Sequence, residues 1–188
     1  LYDGDNVVAD LKPAGGGLSV DRFYVTPFLD QNLSMTDVGS GETYYYSQDG
    51  LGSVRTVTDG AGVVQNAYDY EAFGSPYAPG TSVAVGQRYT YTGREASAVG
   101  GPMYYRYRFY QPNLGRFPVR DPIGYFGSIG LYSFVFENPA LWYDPYGLRG
   151  KGRSRRKGKG SGRLPEGDWE GPYNPDIPFP PEPLLPYL

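Results

Sequence analysis

Two aspartates open matching phrases, Asp121-Pro-Ile-Gly124 and Asp144-Pro-Tyr-Gly147, 23 residues apart. Paired carboxylates can hydrolyse a peptide bond without help. Forced together, both cannot ionise, so one keeps a proton for a carbonyl oxygen while the other accepts one from water. The chain has few other means. It contains no histidine and no cysteine, which removes Ser-His-Asp and Cys-His catalysis, disulfides, thiolate sites and the usual zinc ligands. Acid–base work must rest on carboxylates, Lys, Arg or Tyr, and no cofactor or metal is expected. The plainer reading of Asp-Pro-x-Gly is a turn, in which Asp caps, Pro fixes φ and Gly takes positive φ. The two readings are compatible, because a turn can carry a working acid.

Whatever positions these acids must be built largely from strands. Glycine (28) and proline (18) make up about a quarter of the 188 residues, which favours turns over long helices. Tyrosine reaches 20 copies and suits half-buried strands, where the ring packs and the hydroxyl finds a partner. The length allows one domain with a real core. The start, Leu1-Tyr-Asp-Gly-Asp, lacks Met and enters in mid-pattern, as expected of a piece of a longer chain.

In order, Asn6–Leu11 and Val20–Val25 read as strands around a turn at 13–17, and 31–43 as a connecting loop. Tyr44–Thr58 carries a hairpin signal at Asp49-Gly50. Asp59–Gly62 is a second tight turn, and Val63–Tyr70 is the returning strand. Residues 77–86 read as loop. Gln87–Thr92 and Pro102–Tyr110 alternate as strands, which would put Tyr104, Arg106 and Arg108 on one face. Leu131–Phe136 fits either a strand or a short buried helix. The tyrosine stripe reads as cross-strand packing rather than a ligand platform.

Charge divides the chain at the second motif. Residues 1–148 hold 9 basic and 15 acidic side chains, whereas 149–188 hold 8 and 5. Residues 149–163 are basic and rich in Gly and Ser; 164–188 carry 8 prolines. Neither part can bury enough surface to fold alone. The basic run reads as a solvated linker ahead of a nucleic-acid contact. The proline run at 172–186 reads as a spacer ahead of a ligand for an aromatic groove. No apolar run approaches the roughly 18 residues of a membrane span.

Taken together, several blocks carry a resemblance. They are Tyr2-Asp-Gly-Asp-Asn-Val-Val, Asp49-Gly-Leu-Gly-Ser-Val-Arg-Thr-Val-Thr-Asp59, Tyr68-Asp-Tyr-Glu-Ala-Phe-Gly74, Tyr89-Thr-Tyr-Thr-Gly-Arg-Glu95, Tyr104 to Phe117 and the two Asp-Pro-x-Gly phrases. In this order the chain resembles the C-terminal core of RHS and YD-repeat proteins, including the C components of insecticidal toxin complexes. The resemblance covers roughly residues 1–148. It implies an all-β fold: an antiparallel, spiralling sheet forming part of a hollow β-shell, with a short irregular or helical plug and an extended tail. The implied divisions are a repeat sheet over 1–100, an RHS-associated core over 101–148 and a variable tail over 149–188.

The resemblance further implies an aspartyl protease acting on its own chain. The two motif aspartates, Asp121 and Asp144, would act with an upstream arginine, for which Arg108 stands in the tyrosine-rich segment. Without the resemblance, Arg108 reads as a strand arginine stacked on tyrosines. Cleavage would follow Leu148 and release a product beginning at Arg149. The setting would be a secreted toxin-delivery or cell-surface protein that encloses its C-terminal cargo, with the rest of its own shell as partner. Two features depart from that picture: the linker from Glu95 to Met103 is less tyrosine-rich, and 40 low-complexity residues are few for a toxin enzyme. An alternative from another class is a non-enzymatic subunit of an extracellular fibre or filament, its tail strapping a neighbouring identical subunit.

Overall fold

The computed structural model describes residues 1–126, 130–148 and 150–152. The strands are β1 (Tyr2–Asp3), β2 (Asn6–Val7), β3 (Ala9–Ala14), β4 (Gly17–Val25), β5 (Ser34–Asp37), β6 (Thr43–Gln48), β7 (Val54–Thr58), β8 (Val64–Ala67), β9 (Ser82–Val83), β10 (Glu95–Ala96), β11 (Met103–Tyr104), β12 (Phe109–Tyr110), β13 (Trp142–Tyr143) and β14 (Lys151–Gly152). Among the described residues, the helical pieces are short 3-10 turns of three residues. The fold is all-β, as the composition requires.

A seven-stranded antiparallel meander, β3 to β9 in sequence order, forms the main sheet and curls as a half-barrel. Two of its hairpins, β6–β7 and β7–β8, are set by one local device. Asp49 Oδ1 accepts the amides of Leu51 and Ser53 at 2.8 and 3.0 Å; ten residues on, Asp59 Oδ1 accepts those of Ala61 and Val63 at 2.9 Å. An aspartate side chain that imitates a backbone acceptor fixes such turns. The inward face carries Tyr24, Met35, Tyr46, Val57 and Asn66, all buried. Tyr89 closes over it, its ring edge-on to Tyr24 at 5.6 Å and to Tyr46 at 5.8 Å.

A second core gathers Tyr91, Met103, Tyr105, Tyr110, Phe117, Phe134 and Val135, with Tyr70 packed against both cores. Here regular structure gives way to tight, irregular turns. The small sheet β10-β11-β12 supplies one wall. Tyr110 and Phe134 pack tilted by 37° with 4.2 Å between ring centres, and Phe117 meets Tyr105 edge-on at 5.8 Å. Burial pushes the Tyr105 and Tyr110 hydroxyls above the ordinary tyrosine range. They reach partners nonetheless: Tyr110 donates to Phe73 O at 2.8 Å, and the Tyr105 hydroxyl bonds that of Thr92 at 2.7 Å.

Five stretches differ from their sequence reading. The loop expected over 31–43 contains β5, a central strand, whose four residues are too short to display alternation while Met35 fills the core completely. The loop expected over 77–86 holds β9, which pairs with β8. Gln87–Thr92 is not a strand: Tyr89, Thr90 and Tyr91 are buried in succession, Thr92 adopts φ 51° and the chain turns into a 3-10 helix at Tyr91–Gly93, so Tyr89 makes a single bridge to Glu95 and no ladder forms. Pro102–Tyr110 is not one strand. Arg106 at φ 63° folds it back, Met103 pairing with Tyr110 and Tyr104 with Phe109, which separates the faces of Tyr104, Arg106 and Arg108. Leu131–Phe136 is neither of its two expected elements. Ser133 bridges Arg116, and Val135–Glu137 make a turn with positive φ throughout.

Candidate active site

The second core exists around a buried cation. The β11–β12 turn delivers Arg108 inward, where its guanidinium lies 3.7 Å from the centre of the Phe117 ring. Arg108 Nε donates to Gly147 O, and Nη1 donates to Leu131 O at 3.2 Å. Arg108 Nη2 stands 2.8 Å from Asp121 Oδ2 and 4.0 Å from Asp144 Oδ2. The three side chains named from sequence therefore converge on one point. Their residues are 5%, 5% and 4% exposed for Arg108, Asp121 and Asp144, which matters because charges gain most from one another when water is excluded.

Each aspartate is also a turn residue. Asp121 Oδ1 accepts the Ile123 amide at 3.0 Å; Asp144 Oδ1 accepts those of Tyr146, Gly147 and Leu148 at 3.3, 2.9 and 3.1 Å. Gly124 and Gly147 take φ of 63° and 70°. This repeats the device seen at Asp49 and Asp59. The difference lies in the second carboxylate oxygen, which at Asp59 meets Gln65 near solvent and at Asp121 and Asp144 faces the buried arginine.

The electrostatics separate the groups. Burial raises the Asp121 carboxyl above its ordinary value; Arg108 and the Ile123 amide pull it back, and Asp144 adds to the rise. Burial likewise lowers Arg108, against the pull of both aspartates. Asp144 Oδ1 is committed as an acceptor to three amides. One of these belongs to Leu148, so the residue expected before the cut is tied directly to an aspartate of the pair. Arg149, on the other side of that bond, lies outside the described residues, as does the tail from 153 onward. Lys151–Gly152 pair antiparallel with Trp142–Tyr143, so the chain returns past the site after the junction.

Sequence reading missed a second cationic cluster behind the motif. Arg94 Nη2 donates to Pro145 O at 2.7 Å and Asp144 O at 3.3 Å, and pairs with Asp30 Oδ2 at 2.7 Å. Arg106 also donates to Pro145 O and meets Asp30 Oδ1 at 3.1 Å. Periodicity carries no signal for this cluster, since Asp30 and Arg106 both sit in left-handed backbone.

No family model matches the chain. It is 36% identical over 110 residues to the double-stranded DNA deaminase toxin A of Burkholderia cenocepacia, covering 57% of this chain and 8% of that protein. It is 33% identical over 121 residues to toxin subunit YenC1 of Yersinia entomophaga, covering 60% and 12%. The chain is related to RHS-associated toxin proteins. The crystal structure of TcdB2-TccC3 without its hypervariable C-terminal region superposes with a TM-score of 0.56 at 24% identity, over 69% of this chain and 7% of that one. That likeness shows the fold. The region matched is thus a small part of each relative, and in the TcdB2-TccC3 structure it belongs to a much larger chain. No helix among the described residues is long and apolar enough to cross a membrane.

Proposed function

We propose that the chain is the RHS-associated core at the end of a hollow β-shell, and that it cuts itself after Leu148 to separate shell from C-terminal cargo in a secreted or delivered toxin. One observation carries this reading: a single buried guanidinium is shared by the carboxylates of the two Asp-Pro-x-Gly turns. A turn needs no such arrangement, as Asp49 and Asp59 demonstrate.

The proposed reaction is addition of one water to one peptide bond. Asp144, held as an acceptor, takes a proton from water as its oxygen attacks the Leu148 carbonyl carbon. Asp121, the carboxyl that burial favours in its protonated form, donates to the carbonyl oxygen. The tetrahedral intermediate collapses, the C–N bond breaks and the proton taken by Asp144 passes to the Arg149 nitrogen. The second proton on the diol returns to Asp121. Leu148 ends as a carboxylic acid and Arg149 as an amine, between which the acid's proton then passes to give carboxylate and ammonium, and both aspartates regain their starting states. Arg108 keeps the two acids within reach of one another and carries the shared negative charge.

The released segment is the tail from Arg149. Relatives named as a DNA deaminase toxin and a tRNA nuclease make nucleic acid a target class for cargo in this family; for this tail's basic run it is the lesser reading. A non-enzymatic fibre subunit would keep the same turns without needing the buried triad. N-terminal sequencing of material released from the chain tests the proposal: a fragment starting at Arg149 supports it, and release at any other bond opposes it.

A further inference from the structure

The Asp144 turn is held from behind as well as from within. Its own carboxylate fixes the amides of 146 to 148 on the inner side. On the other side, the two consecutive carbonyls of Asp144 and Pro145 receive Arg94, with Arg106 adding a second donor to Pro145. Arg94 is 4% exposed and its guanidinium lies 4.6 Å over the Tyr105 ring, so it cannot swing aside. Asp30 pairs with both arginines through its two oxygens, and Asp5 meets Arg106 Nε at 3.5 Å. Asp30 stands in the connection between β4 and β5, in backbone with φ 61°. Between Asp30 and the motif, Gly93 packs so closely that a Cβ there would lie 2.5 Å from Asp30 O.

We infer that Arg94 is a positioning residue for self-cleavage, with Asp30 as its counter-ion, and that through this pair the main sheet sets the orientation of Asp144. This rests on the proposed cleavage reaction. The direction of the Asp144 side chain toward Arg108 follows from the orientation of its own main chain. Arg94 grips that main chain at the carbonyls on either side of the Asp144–Pro145 bond. All three contacts run through Arg94 Nη2, which the guanidinium plane, packed over Tyr105, holds among two carbonyls and a carboxylate; a lysine ammonium has no plane to pack there and sits on a flexible stem, so it holds them less well. Small displacements of a reacting group have large kinetic effects: about 1 Å costs about 100-fold in rate.

The test uses the full chain, with self-cleavage followed as a rate. Thermal midpoints are measured in an Asp121→Asn background, where the chain stays whole. Arg94→Met should slow cleavage about 100-fold, and Arg94→Lys should recover part of that loss. Asp30→Asn, which keeps an acceptor in place, should slow it about tenfold and serves where Arg94→Met does not fold. Arg88→Met is the matched control. Arg88 forms its ion pairs with Asp10 and Glu95 rather than with the motif, so its loss should lower the midpoint and leave the rate of the folded chain within about twofold. Cleavage by Arg94→Met and Asp30→Asn at the wild-type rate, or slowing no greater than that of Arg88→Met, overturns the inference and leaves the cleavage reading intact. A wild-type chain that stays whole overturns both.

Discussion

Arg108 meets Asp121 at 2.8 Å with both side chains sealed from water, 3% and 4% exposed. A pair this deep is costly to assemble and costlier to break, because desolvation has already been incurred and removing one partner leaves a buried charge alone. Its worth to the fold is therefore small compared with the penalty for disturbing it. That asymmetry is what one expects of charges kept for chemistry rather than for stability.

Breaking the pair should be far more damaging than breaking a surface one. Arg108→Met should cost about 3–5 kcal/mol. Arg55→Met, which removes the half-exposed pair with Asp69, should cost about 0–1 kcal/mol from the ion pair. Denaturant melts of both variants on an Asp144→Asn background check this difference without interference from cleavage.

The raised Asp121 carboxyl gives cleavage a pH sign. Burial is the main cause, Asp144 contributes in the same direction, and Arg108 with the Ile123 amide opposes. Folding thus favours the protonated form. The group's contribution to stability is complete below its unfolded value and fades as pH rises through the folded one. Its role as acid follows the same course. Cleavage should be faster on the mildly acid side and fall by about tenfold per pH unit above the folded value of Asp121. A rate–pH profile that rises toward alkaline pH would reverse the assignment of acid and base.

The two motif glycines should not be equivalent. Both carry positive φ, which costs a side-chain-bearing residue about 1–2 kcal/mol. A Cβ at Gly124 would meet nothing within 4 Å, whereas one at Gly147 would lie 2.8 Å from Tyr105 O and 3.0 Å from Tyr105 Cβ. Gly124→Ala should therefore cost only the backbone term and still cleave. Gly147→Ala must displace the turn that Asp144 organises, so it should lose cleavage and more stability. Parallel melts and cleavage assays of the two variants measure the contrast.

Much of this was legible in the sequence. The turn grammar of Asp49-Gly50 and Asp59-Gly60 placed the hairpins because an aspartate carboxylate acts within a few residues of itself. The resemblance placed Arg108 beside Asp121 and Asp144, and the geometry brings the three together. β5 was not legible, since Ser34–Asp37 presents one apolar side chain and its strand character comes from pairing on both sides. The alternation over 102–110 misled because it came from a hairpin of aromatic residues, folded at Arg106, rather than from a single pleated face. Asp30 and Arg94 left no mark because their partners are backbone carbonyls and each other, 64 residues apart, and no local pattern encodes that.

Intact-mass measurement of the purified chain beside its Asp121→Asn and Asp144→Asn variants tests the central claim most directly. The account predicts two wild-type fragments that divide between Leu148 and Arg149 and together exceed the parent by one water, with both variants remaining whole. A whole wild-type chain, or fragments that persist when either aspartate is replaced, would contradict it.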